Sequence, residues 1–175
     1  ENAGIKPVKV DKEIVNLILF SKEWYKKTMG LTNIAFGPVL EIWHEYRIEG
    51  IDDPPNAKIP PMQDLQNASK HTDINKVVVD TKNSTVFLPD SKMSLDVGAM
   101  AKGYATEIVA KEIVAEGMVS GIINSGGNVR AIGKPLDGKR QRWGIGVQDP
   151  NRSLFSDEQN LDVVFINNGS VTNSG

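Results

Sequence analysis

The densest group of residues that could carry chemistry lies between Leu95 and Tyr104, in the run Leu-Asp-Val-Gly-Ala-Met-Ala-Lys-Gly-Tyr. The pattern predicts a strand that ends near the carboxylate of Asp96, then a turn of small residues, then a helix that carries Lys102. Backbone N–H groups at a helix start and a lysine ammonium suit a bound phosphate, and a carboxylate with a backbone carbonyl could hold a hard cation. A structural role fits equally well, in which Asp96 only caps the helix and the small residues allow close packing of helix on sheet.

A second group is the segment from Asn124 to Asn128, where Gly126 and Gly127 are expected to lie between two apolar strands. Paired glycines permit positive φ angles and a close approach of the backbone to a ligand. They are also what a simple turn requires, so the segment is interpreted either as a turn or as part of a pocket floor. The pattern lacks both the Gly-Lys-Ser/Thr of a Walker loop and the three spaced glycines of a dinucleotide fingerprint. A Walker-type kinase site and a Rossmann dinucleotide-binding site are therefore excluded.

The histidine and cysteine content excludes two further kinds of site. The chain has two histidines, His44 and His71, and no cysteine. His44 is expected on the polar side of an amphipathic helix and His71 just after another helix, so both are interpreted as solvated surface residues and not as catalytic bases. Two isolated histidines without cysteine do not make a zinc site, and the absence of cysteine leaves the redox compartment open.

Composition and charge narrow the class of protein. The chain has 175 residues, of which 39% are hydrophobic and 24% charged, enough for one domain with a sizeable core. The formal net charge of -2 offers no basic surplus for a nucleic-acid backbone, so no nucleic-acid partner is expected. No apolar run is long enough to span a bilayer, and no secretory signal pattern is present in this chain. The compartment and the oligomeric state are left open.

Hydrophobic periodicity and punctuating residues predict the elements of the amino-terminal part. A helix is expected over 11–29, with Asp11 as its N-cap and Gly30 as its stop. A shorter helix is expected over 38–47. The proline-rich stretch 52–61 is expected to form a surface loop, and a short helix is predicted over 62–70.

The remaining pattern mixes strands and one helix. A hairpin is predicted from 77–79 and 85–88, a third strand over 94–97 and a helix over 99–116 that ends at Gly117. Further strands are expected over 121–124, 128–132, 143–148, 161–166 and 170–172. Because strands and helices do not alternate strictly, the predicted fold class is α+β, with mixed or antiparallel sheets and packed helices.

Four motifs in a fixed order resemble the ApbE family of flavin transferases, formerly described as thiamine biosynthesis lipoproteins. The resemblance covers nearly the whole chain and implies a T-fold-like α+β architecture. It also implies that residues 1–175 form a single domain that is the central part of an ApbE-like catalytic domain, without its first strand and its metal-ligating carboxyl-terminal portion. The motifs lie at Asn33–His44, Leu95–Thr106, Asn124–Val129 and Trp143–Pro150, and the end of the chain resembles the family's Thr-Ser-Gly.

The same resemblance implies roles for particular residues. Asp96 and Lys102 would contact FAD, the carbonyl of Ala99 would help to hold Mg²⁺, and Leu31, Thr32 and Asn33 would line the flavin pocket. Many members of the family have Asp at the position of Asn33, and that departure removes one negative charge from the pocket. The catalytic base is expected outside this chain.

The activity implied by the resemblance is the Mg²⁺-dependent transfer of FMN from FAD to a Ser or Thr hydroxyl of a target flavoprotein, with release of AMP. Two alternatives are left open by the sequence. One is an FAD pyrophosphatase, in which water replaces the acceptor hydroxyl, and the other is a flavin-binding protein without turnover. The family implies an extracytoplasmic, membrane-anchored lipoprotein, but the chain has no lipobox cysteine.

Overall fold

The computed structural model describes residues 2–150 and 160–173. The chain divides into two compact units, Glu1–Met100 and Ala101–Gly175. Each unit has its own sheet or sheets. The expectation of a single domain over 1–175 stays a prediction.

The first unit begins with a short strand, β1 (Val8–Lys9), and a long amphipathic helix, α1 (Lys12–Lys27). Asp11 occupies the N-cap position as predicted, although its side chain makes no capping hydrogen bond. The buried face of α1 is formed by Val15, Leu17, Ile18 and Ser21. The helix ends at Thr28, and Gly30 follows with a φ of +87°, which is the left-handed conformation that stops a helix.

Helix α2 (Gly37–Asp52) follows a 3₁₀ turn at Ile34–Phe36 and is longer than predicted. Nothing in the sequence from 48 to 52 forbids a helix, and the actual stop is Pro54, which disfavours helical φ and ψ at Asp53. The predicted proline-rich loop then runs on the surface, with one 3₁₀ turn at Pro54–Asn56. Helix α3 (Met62–Ser69) confirms the predicted short helix.

A three-stranded antiparallel sheet completes the first unit, in the order β1, β3, β2. Strands β2 (Val78–Asp80) and β3 (Thr85–Phe87) form the predicted hairpin, with Val79 opposite Val86. The prediction of a third strand over 94–97 is wrong. The place beside β3 is taken by β1, so that Val8 pairs with Val86, and residues 94–97 have no sheet partner.

The core of the first unit lies between α1, the 3₁₀ turn and this sheet. The buried side chains come from several separate parts of the unit, so that packing joins segments on both sides of β3. The buried cluster consists of Ile18, Ile34, Ala35, Ile74, Val77, Val86 and Met93.

Helix α4 (Gly98–Ala115) starts in the first unit and continues into the second, and Gly117 ends it with a φ of +103°. The second unit contains a three-stranded antiparallel sheet in the order β4, β5, β8 and a two-stranded sheet of β6 and β7. No described helix is both long and apolar enough to cross a bilayer. The strands are β4 (Gly121–Ser125), β5 (Asn128–Ile132), β6 (Trp143–Gln148), β7 (Asn160–Ile166) and β8 (Gly169–Thr172), each within one residue of its prediction.

Candidate functional site

Asp96 lies in the irregular segment that leads into α4, and its main chain is fixed to the 3₁₀ turn. Its backbone N–H donates to the carbonyl oxygen of Ile34 across 2.7 Å. Its Oδ1 accepts the N–H of Gly98, the first residue of α4, also at 2.7 Å. The capping role that the sequence allowed for Asp96 is therefore present. The carboxylate is exposed, and the described residues offer no second partner to its other oxygen.

Two glycines allow this segment to lie close to its neighbours. A Cβ at Gly37, where α2 begins, would lie 2.4 Å from the Oγ and 2.7 Å from the carbonyl oxygen of Ser94. A Cβ at Gly98 would lie 3.0 Å from Oδ1 of Asp96. Real Cβ contacts are longer than the first pair, so a glycine is required for α2 to begin beside residues 94–96.

An open groove of about 960 Å³ runs between α2, residues 57–58 and the segment 94–96, within the first unit. Its walls carry both aromatic surface and charge, and Trp43 is 45% exposed there. A ring system with phosphates could pack on the aromatic side chains and pair with the cations. The aromatic and charged lining consists of Trp43, Tyr46, Glu41, His44, Arg47, Lys58 and Asp96.

The stretch predicted to line the flavin pocket precedes the 3₁₀ turn and is placed unevenly. The side chain of Leu31 is 87% exposed, while Thr32 is half-buried and donates its N–H to Oγ1 of Thr28 at 3.1 Å. Both ends of the Asn33 side-chain amide are hydrogen-bonded within the protein. Its Oδ1 accepts the N–H of Ala35 at 2.9 Å, and its Nδ2 donates to the carbonyl oxygen of Thr72 at 2.9 Å. What this stretch offers to a ligand is therefore its backbone and the exposed surface of Leu31.

The remaining predicted contacts lie on α4. Ala99 is its second residue and is exposed, and Ala99 belongs to the first unit. Lys102 belongs to the second unit, and its side chain is exposed and makes no hydrogen bond or ion pair with the described residues. The described residues contain no group of three or more His, Asp or Glu side chains that could hold a metal ion.

The paired glycines form the turn of the β4–β5 hairpin. Gly126 and Gly127 have φ angles of +53° and +88°, the combination that a two-residue hairpin turn requires. The N–H of Gly127 donates to Oδ1 of Asn124 at 3.2 Å, and the carbonyl oxygen of Gly127 accepts the N–H of Asn173 at 3.1 Å. The contacts of this segment are those of a turn, which was one of its two interpretations.

Sequence reasoning missed the surroundings of His71, which was interpreted as a solvated surface residue. The structure half-buries it and places its Nδ1 2.7 Å from Oδ2 of Asp90. No signal in the sequence could have identified this partner, because Asp90 lies in a separate turn after β3. His44 is exposed as expected, and Arg47 donates to its Nδ1 at 3.2 Å.

Comparisons with known proteins agree with the four motifs. The model of the ApbE family matches residues 1–175. The chain is 30% identical over 174 residues to the FAD:protein FMN transferase of Klebsiella pneumoniae strain 342, covering 99% of this chain and 49% of that protein. It is 28% identical over 184 residues to the enzyme of the same name from Treponema pallidum strain Nichols, covering 99% and 48%.

Solved structures extend the comparison to the fold. The crystal structure of the ApbE protein from Thermotoga maritima has a TM-score of 0.73 and 27% identity, over 95% of this chain and 50% of that one. The apo form of the flavinyl transferase ApbE from Pseudomonas stutzeri has a TM-score of 0.68 and 20% identity, over 94% and 47%. The α+β fold class and the family resemblance are confirmed, and the chain spans about half the length of these relatives. The chain belongs to the ApbE family.

Proposed function

We propose that this chain is part of an enzyme that transfers FMN from FAD to a Ser or Thr hydroxyl of a target flavoprotein. In this reaction the acceptor oxygen attacks the phosphorus of the FMN moiety, the bond to the AMP phosphate breaks, and AMP leaves. No described side chain is assigned as the general base. The proposal follows from family membership, since the relatives at 30% and 28% identity are named FAD:protein FMN transferase.

The observation that carries the proposal is the placement of Asp96. Its carboxylate accepts the Gly98 N–H, has no partner among the described residues for its other oxygen, and lines a groove large enough for a nucleotide. A carboxylate with a free oxygen can orient ribose hydroxyls or ring N–H groups of a bound dinucleotide, because it accepts hydrogen bonds at several lone pairs. Asp96 is assigned to holding FAD and not to proton transfer.

The other proposed contacts differ in what they can contribute. Lys102 supplies a positive charge that suits the pyrophosphate of FAD, as lysines do at many phosphate sites. Leu31 supplies apolar surface that a flavin ring could cover, and Thr32 and Asn33 contribute the backbone beside it. Because both ends of the Asn33 amide are already bonded, its side chain acts by shaping that backbone.

Mg²⁺ is part of the proposal, with the carbonyl of Ala99 as the candidate ligand. A carbonyl oxygen suits Mg²⁺, which commonly completes its shell with water and with phosphates of the substrate. When bound, the ion supplies positive charge against the charge that builds on the leaving phosphate. The absence of an acidic cluster among the described residues means that they would not hold the ion without such further ligands.

The proposal can be tested by titrating the full-length protein with FAD, following flavin fluorescence, and by separating the nucleotides formed after incubation with Mg²⁺. Asp96→Asn keeps the acceptor for the Gly98 N–H but removes the charge. Asp80→Asn is the matched control, because Asp80 is an aspartate that accepts the N–H groups of Lys82 and Asn83 in the β2–β3 turn and does not line the groove.

The proposal predicts FAD binding, release of AMP with Mg²⁺, and a loss of FAD affinity of about tenfold or more in Asp96→Asn, since hydrogen bonds to charged groups are the strong ones. Asp80→Asn is expected to bind FAD like the unchanged protein. AMP with free FMN in the presence of an acceptor would favour the pyrophosphatase, and FAD binding without AMP would favour a binding protein. No FAD binding at all would contradict every flavin function.

A further inference from the structure

A histidine and an aspartate connect the end of α3 to the turn after β3. Nδ1 of His71 lies 2.7 Å from Oδ2 of Asp90, and the two side chains are 25% and 22% exposed. The hydrogen bond with His71 lowers the pKa of Asp90, and the backbone N–H of Lys92 lowers it further. Asp90 is therefore ionised at neutral pH, and the pair is an ion pair whenever His71 is protonated.

The next residue along the chain, Thr72, carries the connection to the flavin-lining stretch. Its hydroxyl donates to the carbonyl oxygen of Ser69 at 2.8 Å, which holds the turn that ends α3. Its own carbonyl oxygen accepts Nδ2 of Asn33 at 2.9 Å. Anything that moves the turn at His71 moves the oxygen that holds this amide.

Asn33 passes the connection to Asp96. Its Oδ1 accepts the N–H of Ala35 at 2.9 Å and so fixes the 3₁₀ turn, and the neighbouring carbonyl of Ile34 accepts the N–H of Asp96 at 2.7 Å. An asparagine is required for this arrangement, because one end of its side chain donates while the other accepts. An aspartate would place an acceptor against the Thr72 carbonyl and lose the donated bond.

We propose that His71 is a positioning residue for the FAD site, acting through Thr72 and Asn33 on Asp96. Protonated His71 holds Asp90 firmly and keeps the turn at Thr72 in place. When His71 loses its proton the ion pair becomes a neutral hydrogen bond, and the hold on Asn33 weakens. The functional consequence rests on the proposed FAD site, while the mechanical link between His71 and Asn33 does not.

Among the described residues, the carboxylate that contacts His71 is that of Asp90. The positive charge of Lys76 also lowers the pKa of Asp90. The charged side chains of Lys70 and Asp73 are hydrogen-bonded to other residues. Nζ of Lys70 donates to Oδ1 of Asn67 at 2.9 Å, and Oδ1 of Asp73 accepts the N–H of Asn75 at 3.0 Å. The response to pH is therefore expected to follow the proton on His71.

The link can be tested by NMR on the protein without ligand, recording the side-chain amide of Asn33 and the backbone amide of Asp96 across the pH range in which histidine titrates. His71→Gln keeps a side-chain donor for Asp90 but removes the titrating charge, and His71→Ala removes both. Asp80→Asn is the control, because Asp80 lies in the β2–β3 turn and has no hydrogen bond to this chain of residues. FAD affinity is then measured over the same pH range.

The proposal predicts that the Asn33 and Asp96 signals of the unchanged protein shift with the same midpoint as the ring of His71. That shift is absent in His71→Gln and His71→Ala, and it is retained in Asp80→Asn. FAD affinity is expected to fall about threefold to tenfold in His71→Ala at the acidic end of the range, the effect of one lost hydrogen bond, and to approach that of the unchanged protein as the pH rises.

Asn33 and Asp96 signals that ignore the titration of His71, or that shift equally in His71→Gln, would overturn the link. A link that is present in a protein that does not bind FAD would contradict the proposed function alone. FAD binding with the same pH profile in the unchanged protein and in His71→Ala would overturn the positioning role.

Discussion

The backbone N–H of Asp96 is hydrogen-bonded to the carbonyl oxygen of Ile34 at 2.7 Å. This single bond joins two of the motifs that carry the family resemblance, and both of its residues lie in the first unit. Because the Asp96 N–H is bonded to the 3₁₀ turn, it is not available to a neighbouring strand. The carboxylate of Asp96 and the stretch before Ile34 are therefore held in one arrangement before any ligand arrives.

Replacing Lys102 separates a binding role from a structural one. Since its side chain is exposed and makes no hydrogen bond or ion pair with the described residues, Lys102→Ala is expected to change the free energy of unfolding by less than about 0.5 kcal/mol. FAD affinity, measured by fluorescence titration, is expected to fall about tenfold or more as a charge-assisted contact is lost. Lys111→Ala on the same helix is the control and should leave the affinity unchanged. Equal affinities for the two variants would remove Lys102 from the site.

Gly37→Ala tests the close approach of α2 to residues 94–96. Its Cβ would lie 2.4 Å from Oγ of Ser94, so we expect a loss of about 1–3 kcal/mol in the free energy of unfolding, the usual cost of overpacking. Gly103 lies within α4, and in Gly103→Ala the atom nearest to the new Cβ would be Oδ1 of Asn128 at 3.7 Å, an ordinary contact. Because alanine is favoured over glycine inside a helix, that variant should be stabilised by about 0.5–1 kcal/mol. Urea unfolding measures both. A Gly37→Ala protein as stable as Gly103→Ala would be inconsistent with the packing described.

The two glycines of the β4–β5 turn are expected to respond differently to substitution. Gly126 has a φ of +53° with open space around its Cβ position, which asparagine tolerates. Gly127 has a φ of +88°, and a Cβ there would lie 3.1 Å from the carbonyl oxygen of Asn173. Gly126→Asn should therefore cost less than about 1 kcal/mol and Gly127→Asn about 1–3 kcal/mol in thermal or urea unfolding. The reverse order would show that the turn is built differently.

The lowered pKa of Asp137 predicts how acidic pH affects the stability of the fold. The backbone N–H of Arg140 lowers the pKa of Asp137 from 3.8 to about 2, with further help from the Arg140 side chain and the Lys139 N–H. Because the pKa is lower in the folded state, the stabilisation from this group is present above pH 3.8 and is lost as the pH falls from 3.8 towards about 2. NMR titration of its carboxyl carbon should show a midpoint near the lower value. A midpoint at the ordinary value would mean that the Arg140 contacts do not persist in solution.

Local patterns predicted the elements that local chemistry determines. Helix α1, the β2–β3 hairpin and β4 to β6 match their predicted bounds closely because periodicity, Asp11, Gly30 and the paired glycines act within a few residues. Helix α2 was predicted too short because Gly50 and its neighbours were not counted as helical, although only Pro54 enforces a stop. The error in α2 concerns a boundary and not the kind of element.

Long-range partners could not be predicted in the same way. The order of the first sheet depends on β1 reaching β3 from the other end of the unit, and residues 94–97 are not part of that sheet. The bonds of Asn33 to Thr72 and of His71 to Asp90 join residues with no shared pattern in the sequence. The candidate site residues were found through motifs, but what holds them in place became visible only in three dimensions.

The most direct test of the central claim is mass spectrometry of an acceptor peptide that contains threonine, after incubation with FAD, Mg²⁺ and the full-length protein. We expect an increase in peptide mass equal to FMN in phosphoester linkage, with one AMP released for each adduct, and a loss of both in Asp96→Asn. An unmodified peptide, with FAD intact or cleaved only to free FMN and AMP, would contradict it.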